Sequence, residues 1–286
     1  MAIPDKMVDQ LNRRYEKLLA QRSNWEKHWQ DLADYLLPRK ADITKKRTQG
    51  DKRTELIYDS TGIHSVELLA SSLHGMLTSP ANPWFSMRYR DLDLEQDDEA
   101  NEWLEGCVDL LNKALQRSNF QQEIHELYYD LVVFGTSALY VEGDNDGLRF
   151  STRHIAEIII SEDANGKVDT VYRKFKMSAR AAAQRFGEEN LPAAMKKTLE
   201  QEPHKEHDLI HAVFPRNEAK GAFAKNKPVA SVYYHLDTKA LISEGGFDDF
   251  PFMVPRFVKD SVSTYGRSPA MNALPDVKMV NKMSET

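Results

Sequence analysis

The chain has 286 residues, 41% of them hydrophobic, and a formal net charge of −6 at pH 7. It is long enough to bury a core in one large domain or two smaller ones, and its acidity disfavours a dedicated DNA-binding protein. The single Cys107 excludes an intrachain disulfide and a four-cysteine zinc site, and fits a reducing compartment. No apolar run approaches the ~18 residues of a membrane span, and the N-terminus lacks the apolar region of a secretion signal, so we expect a soluble, cytoplasmically made protein without a membrane partner.

Residues 5–37 carry one apolar stripe at spacings of three and four, which predicts a long amphipathic helix ended by Pro38. The stripe consists of Val8, Leu11, Tyr15, Leu18, Arg22, Trp25, Trp29, Leu32 and Leu36. Arg22 is its one polar member, and its stem can pack while its head reaches water or a carboxylate. Two tryptophans favour a core helix over a free coiled coil.

Residues 38–54 form the most basic window of the chain. Its candidates for contact with DNA or with an adjacent subunit are Lys45, Lys46, Arg47, Lys52 and Arg53. Clustered Lys and Arg gain by releasing counterions from DNA, which supports the first possibility. A solvated loop is the alternative, because no aromatic residues interleave to stack on bases.

Asp59 and Ser60 can cap a helix with apolar positions from Ile63 to Leu77. Alternation over residues 85–90 predicts a short, half-exposed strand. A second helix over residues 120–134 is closed by Gly135.

An acidic run lies between these two helices. It consists of Asp91, Asp93, Glu95, Asp97, Asp98, Glu99 and Glu102. A metal site is one interpretation, but the run leads into a helix whose dipole stabilises carboxylates in its first turn, and we favour that interpretation.

Beyond Gly135 the sequence is rich in short β segments. Strands are predicted at residues 138–141, 148–152, 155–160, 168–177, 209–214, 229–236, 240–243 and 253–258. Links of hairpin length dominate, which predicts antiparallel pairing and an α+β fold class: long N-terminal helices followed by an antiparallel β-rich region.

No motif selects an enzymatic activity or a cofactor. His204, Glu206, His207 and His211 come closest to a metal site, but the pattern of residues 208–213 indicates a strand that separates His204 from the others. A phosphate-binding loop and a Gly-x-Ser-x-Gly elbow are both missing from the sequence. A metal-dependent nuclease remains an alternative, as does a monomeric adaptor that binds a partner through its N-terminal helix.

Residues 265–286 predict a sharp turn and a helix that has no stop signal. Gly266 is expected to adopt a positive φ, and Ser268 followed by Pro269 is an N-cap and first-turn pair. Helical spacing continues to the last residues without a Gly cap, which predicts the first part of something longer.

Several segments together resemble the head-to-tail connectors, or portal proteins, of short-tailed bacteriophages. They are Tyr-Gly-Arg-Ser-Pro-Ala-Met at 265–271, Tyr-Asp-Ser-Thr-Gly at 58–62 with the segment 70–80, and Leu-Val-Val-Phe-Gly-Thr at 131–136. The resemblance implies a non-catalytic structural protein of the virion, assembled in the host cytoplasm. Residues 1–136 would form the helical part of a portal wing, 137–258 its β-rich part, and 259–286 the start of the stem helix.

The resemblance also implies the partners and the site. The partners would be further copies in a ring, a dodecamer in that family, together with capsid and tail proteins, the packaging terminase and double-stranded DNA that passes without sequence specificity. The turn into the stem helix would be made by Tyr265, Gly266, Arg267, Ser268 and Pro269.

Overall fold

The computed structural model describes residues 3–48, 50–90, 96–144, 147–216 and 226–286. The helices there are α1 (Ile3–Leu36), α2 (Thr61–Leu77), α3 (Asp98–Arg117), α4 (Phe120–Phe134), α5 (Ala179–Phe186), α6 (Ala193–Gln201) and α7 (Pro269–Glu285). The strands are β1 (Ala138–Asp144), β2 (Gly147–Arg153), β3 (Ile158–Glu162), β4 (Val168–Ser178), β5 (Glu206–Pro215), β6 (Val229–His235), β7 (Leu241–Phe247) and β8 (Phe252–Met253). Two antiparallel sheets, ordered β2-β1-β8 and β3-β4-β5-β6-β7, confirm the α+β fold class. None of the helices in these ranges is both long and apolar enough to span a bilayer.

The described residues pack into two compact units that interleave along the chain. Unit 1 holds the chain up to His28, then His154–Pro251 and Ser261–Thr264, and unit 2 holds Trp29–Arg153, Phe252–Asp260 and Tyr265–Thr286. The division by chain order at residues 136 and 258 stays a prediction.

Unit 1 is built on the five-stranded sheet. On one face, Val8, Leu11 and Tyr15 of α1 pack in a core with sheet residues that include Tyr172 and Ile210. The neighbouring strand positions point to the opposite face, where they form a second core. This second core consists of Phe175, Ala182, Leu191, Met195, Leu209 and Ile242.

Arg22 occupies the predicted apolar stripe of α1 and is only 2% exposed. Its guanidinium donates to the carbonyl oxygens of Ile155, at 3.0 Å, and Ile158. It also donates to the carbonyl of Ala156 at 3.1 Å and forms a salt bridge of 2.6 Å with Glu26. The buried guanidinium therefore satisfies three backbone carbonyl oxygens where the chain enters β3. Hydrogen bonds from a charged donor are stronger than those between neutral groups.

Unit 2 combines the three-stranded sheet with α2, α3, α4, α7 and the end of α1. The strand predicted at residues 85–90 is wrong, since this segment has no regular structure. Trp84 stacks on Phe120 with ring centroids 5.9 Å apart, and the Tyr89 hydroxyl donates to the carbonyl of Ala100 at 3.0 Å. Side chains thus dock this segment onto the helices, in place of a backbone ladder.

Candidate functional site at the start of the C-terminal helix

Two backbone segments of unit 2 pass very close to each other where Gly135 meets Gly266. A Cβ added to Gly135 would lie 2.5 Å from the Gly266 carbonyl oxygen, and one added to Gly266 would lie 2.7 Å from Cβ of Arg256 and still closer to the Gly135 carbonyl oxygen. Gly135 caps α4 in the left-handed conformation with φ 74°. Both glycines are needed, because any side chain would separate the two backbones.

Backbone hydrogen bonds hold this crossing together. Phe257 N donates to the Gly135 carbonyl at 2.9 Å, and Val258 and Arg267 exchange hydrogen bonds of 2.8 and 3.1 Å. The Gly266 amide donates to the Thr136 hydroxyl at 2.8 Å. Of the strand predicted at residues 253–258, only Met253 lies in a strand, β8 (Phe252–Met253). The contacts of this crossing replace the rest.

The predicted positive φ of Gly266 is wrong. Its backbone lies outside the left-handed region, which among the described glycines is occupied by Gly50, Gly135, Gly147, Gly166 and Gly187. Gly266 is required for close approach, whereas the sequence pattern suggested a turn that only glycine can make.

Ser268 links the start of α7 to the end of α4. Its hydroxyl accepts from the Met271 amide at 3.2 Å, which makes it the N-cap, with Pro269 in the first turn. The same hydroxyl donates to the Val133 carbonyl at 2.8 Å. Because Ser268 is 3% exposed, one buried side chain satisfies a free amide of α7 and a free carbonyl of α4.

Trp29 of α1 contacts both sides of the same crossing. Its indole N–H donates to the Phe134 carbonyl at 3.2 Å, and its ring meets Tyr265 edge to face with centroids 5.0 Å apart. Trp29 is fully buried and Tyr265 is 6% exposed. Arg267 lies in the chain between Tyr265 and the first residue of α7, and its side chain is exposed.

Residues 56–62 are fastened to α7 by a buried asparagine. Asn281 accepts from the amides of Tyr58, at 2.7 Å, and Asp59, at 3.0 Å, and it donates to the Leu56 carbonyl at 2.8 Å. Gly62 lies close by, where an added Cβ would be 2.8 Å from Leu36 and 2.9 Å from Val277. The start of α2 therefore packs tightly between α1 and α7.

The segment 70–80 joins α2 to α4. The hydroxyls of Thr78 and Tyr128 are 3.1 Å apart, and His74 Nε2 is 2.7 Å from Gln121 Oε1. Burial raises the pKa of Tyr128, and the hydrogen bond with Thr78 opposes this effect. Burial also lowers the pKa of His125, which stacks near His74 at 5.1 Å between ring centroids, and the His74 charge adds to the effect. All segments that carry the resemblance thus meet within unit 2.

The basic window is partly neutralised within the chain. Lys45 pairs with Asp34 at 2.6 Å, Arg47 lies 3.4 Å from Asp34, and Arg53 pairs with Asp42 at 2.5 Å. These three side chains hold the loop against α1 and against itself. Lys46 and Lys52 are exposed, and neither is in an ion pair with any residue that the structure describes.

Sequence reasoning did not single out Gln30, the residue that shapes this loop. Its side-chain oxygen accepts from the amides of Ile43, Thr44 and Lys45 at 2.8 to 3.2 Å. Its amide nitrogen donates to the Ala41 carbonyl at 2.6 Å. Gln30 lies outside the predicted apolar stripe of α1, where the pattern predicts solvent.

At the beginning of the window, Arg39 and Lys40 bind carboxylates of α4. Arg39 pairs with Glu126 at 2.8 Å and Lys40 with Asp130 at 2.6 Å. Burial would raise the pKa of Glu126, but the hydrogen bond from Arg39 and the charges of Lys40 and Arg39 lower it below the usual value.

The acidic run and the histidines take structural positions where the structure describes them. Asp97 is the N-cap of α3 and accepts from the amides of Glu99, at 2.9 Å, and Ala100, at 3.3 Å. Asp91, Asp93 and Glu95 lie outside the described residues.

The histidines of the possible metal site are in unit 1. His211 hydrogen-bonds Ser231 at 2.9 Å, and His207 lies 3.3 Å from His235. Within the described ranges, no three His, Cys, Asp or Glu side chains are grouped as metal ligands.

Comparison with known proteins gives matches along nearly the whole chain. A family model described as bacteriophage head to tail connecting protein matches residues 8–286. The portal protein of Salmonella phage epsilon15 is 33% identical over 278 residues, covering 94% of this chain and 50% of the relative. The probable portal protein of Bordetella phage BPP-1 is 30% identical over 274 residues, covering 93% and 49%. The chain spans about half the length of these curated relatives.

Proposed function

Because this chain belongs to the bacteriophage head-to-tail connecting protein family, we propose that it forms the wing and the beginning of the stem helix of a portal ring. In this proposal the ring occupies a capsid vertex, and DNA is packaged and ejected through it. Its contribution is structural, and it includes no catalytic step.

The way in which the resembling segments hold α7 carries this proposal: residues 131–136 contact the chain at the start of this helix, and residues 58–62 contact the helix near its end. A helix that lines a channel under load needs a fixed direction, and α7 is fixed at its beginning by Ser268 and near its end by Asn281. Lys278 adds an ion pair with Asp31 of α1 between these points. Tyr265, Gly266, Arg267, Ser268 and Pro269 are therefore proposed as the turn into the stem.

The charge of the chain fits passage of DNA without tight binding. A net charge of −6 makes the chain as a whole repel a phosphate backbone rather than bind it tightly. Three of the five basic candidates are engaged with Asp34 and Asp42. We propose that Lys45, Arg47 and Arg53 order the loop, while Lys46 and Lys52 remain for contacts with DNA or a subunit.

The proposed partners follow from the family. Copies of the chain would assemble cyclically through two different flanks of each subunit, in a dodecamer as the resemblance implies. Capsid proteins, tail proteins and the packaging terminase would bind the ring, which would be part of the virion.

Immunogold electron microscopy of particles of the encoding phage tests this function. An antibody raised against the purified chain should label a single capsid vertex, at the junction with the tail. Particles disrupted to expose internal proteins provide a control for access of the antibody. Label spread over the capsid shell, or absent from both intact and disrupted particles, would contradict the proposal.

A further inference from the structure

Helix α3 of unit 2 presents an apolar face that the described residues of the chain leave exposed. It is 20 residues long, and none of its residues is buried. Trp103 is 65% exposed and Leu110 is 68% exposed. They stand seven residues apart on the same helix face, with Gly106 and Cys107 between them. Large apolar side chains gathered on one exposed face mark an interaction surface.

A row of acidic residues follows α3 about a third of a turn away from this face, and Asp109 lines the surface next to Leu110. Glu102, Glu105 and Asp109 are spaced by three and four residues, so they form a row along α3. All three are exposed, and none is in an ion pair with a described residue. The partner of α3 should therefore offer apolar side chains next to positive charge.

Residues 46–58 of the same unit have this complementary character. Lys46 and Lys52 are exposed, and they are the two basic side chains of the window that form no ion pair with a described residue. Leu56 and Tyr58 follow them and are 43% and 52% exposed. Positive charge and apolar surface thus occur in one segment, with charge opposite to that of α3.

Building on the proposed function, we propose that α3 of one copy docks on residues 46–58 of the next copy. Lys46 and Lys52 face the row of Glu102, Glu105 and Asp109. Trp103 and Leu110 cover Leu56 and Tyr58 of the neighbour. Because the two surfaces are different patches of one chain, repeated docking is heterologous and closes a ring when the rotation permits it. Charge complementarity of this kind also selects the partner and the register.

Disulfide trapping tests this contact, because the lone Cys107 lies on the apolar face of α3. Leu56→Cys and Tyr58→Cys each place a second thiol on the part of the neighbour that Trp103 and Leu110 cover in this proposal. After mild oxidation of the concentrated chain, we expect at least one variant to give a ladder with steps of 32.8 kDa on non-reducing gels. Wild type, with one thiol, can give only dimers. Cys107→Ser in the same variant should remove the ladder.

Lys197→Cys is the control, since Lys197 is also exposed but lies on α6 of unit 1. It measures cross-linking by random collision. If Leu56→Cys and Tyr58→Cys both give no more ladder than Lys197→Cys, the proposed contact is overturned.

Charge reversal distinguishes a specific, charge-dependent contact from cross-linking of surfaces that merely come close. In the Tyr58→Cys background, Glu105→Lys with Asp109→Lys should reduce the ladder about tenfold, the effect of one lost charge contact of ordinary strength. Adding Lys46→Glu and Lys52→Glu should restore it, because the signs are then exchanged across the interface. An unchanged ladder, or a failed rescue, would contradict the assignment of the charges.

The outcomes also separate this contact from the proposed function. Vertex labelling without the ladder would leave the portal function standing and overturn this interface. A ladder without vertex labelling would leave the interface standing in an assembly other than a portal.

Discussion

Close approach of two glycines decides how α7 begins. Gly135 has a positive φ and Gly266 does not, yet both lack room for a Cβ. We predict that Gly266→Ala lowers the free energy of unfolding by about 1–3 kcal/mol, as overpacking of a filled interior does. The midpoint of urea denaturation, followed by circular dichroism, measures this change.

Gly75→Ala is the control for this substitution. Gly75 lies inside α2 with no atom within 4 Å of an added Cβ. Alanine there should raise stability by about 0.5–1 kcal/mol, because it favours the helix over the unfolded chain. Equal midpoints for Gly266→Ala and wild type would show that the crossing can accommodate a Cβ at this position.

Arg22 is the second residue whose replacement should be costly. Arg22→Met keeps a long apolar stem but removes the donors to the carbonyls of Ile155, Ala156 and Ile158. We expect a loss of roughly 3 kcal/mol, since unsatisfied buried acceptors each cost about 1–3 kcal/mol. Arg13→Met, on the exposed side of the same helix, should change stability by less than about 0.5 kcal/mol. Comparable losses in the two variants, in the same denaturation assay, would contradict the role given to Arg22.

At the scale of elements, α7 is tied to residues 56–59 by a single side chain. Asn281→Ala removes the acceptor for the amides of Tyr58 and Asp59. We predict that these amides exchange hydrogen about tenfold faster or more, because a lost buried hydrogen bond costs about 1–3 kcal/mol. Asn272→Ala, at an exposed position of α7, is the control. Unchanged exchange at residues 58 and 59 would show that other contacts hold the segment.

The sequence predicted the helices and strands of this fold better than their connections. Periodicity identified α1, α4 and most strands of the large sheet, because each of these elements buries one continuous face. It failed at residues 85–90, where side chains such as Tyr89 dock the segment on α3 and the structure shows no strand. Of the candidate site, the cap at Ser268 was readable because an N-cap is local.

The contacts that bring the site together could not be read from the sequence, because they join distant positions. Asn281 and the glycine crossing act through partners far along the chain, and Gln30 acts through a loop beyond the end of its own helix. Nothing in the local pattern of Gln30 distinguishes a solvated glutamine from one that binds three amides. Only the distances supply that information.

At the scale of the whole molecule, each unit contains a partly buried histidine that resists protonation. Burial, then the charge of His74, lowers the pKa of His125 in unit 2. Burial, then the charge of His207, lowers the pKa of His235 in unit 1. In the unfolded chain both should titrate near the ordinary value of about 6.5. The unfolded state therefore binds more protons than the folded state in mildly acidic solution.

This difference predicts that stability falls as the pH drops below about 6.5, because protons then favour the unfolded chain. The stability is fully present above that pH and is lost as the pH falls towards the lowered pKa values of the folded state. Each additional proton contributes a slope of at most about 1.4 kcal/mol per pH unit. Denaturation midpoints between pH 5 and pH 8, about the range in which histidines titrate, measure it.

His125→Gln should reduce this slope, because glutamine takes up no proton in that range. His64→Gln should leave the slope as it is in wild type, since the His64 side chain is 79% exposed. The comparison depends on the slope and not on absolute stability, so any cost of repacking against His74 does not affect it. A His125→Gln slope equal to that of wild type would assign the acid sensitivity to other groups, beginning with His235.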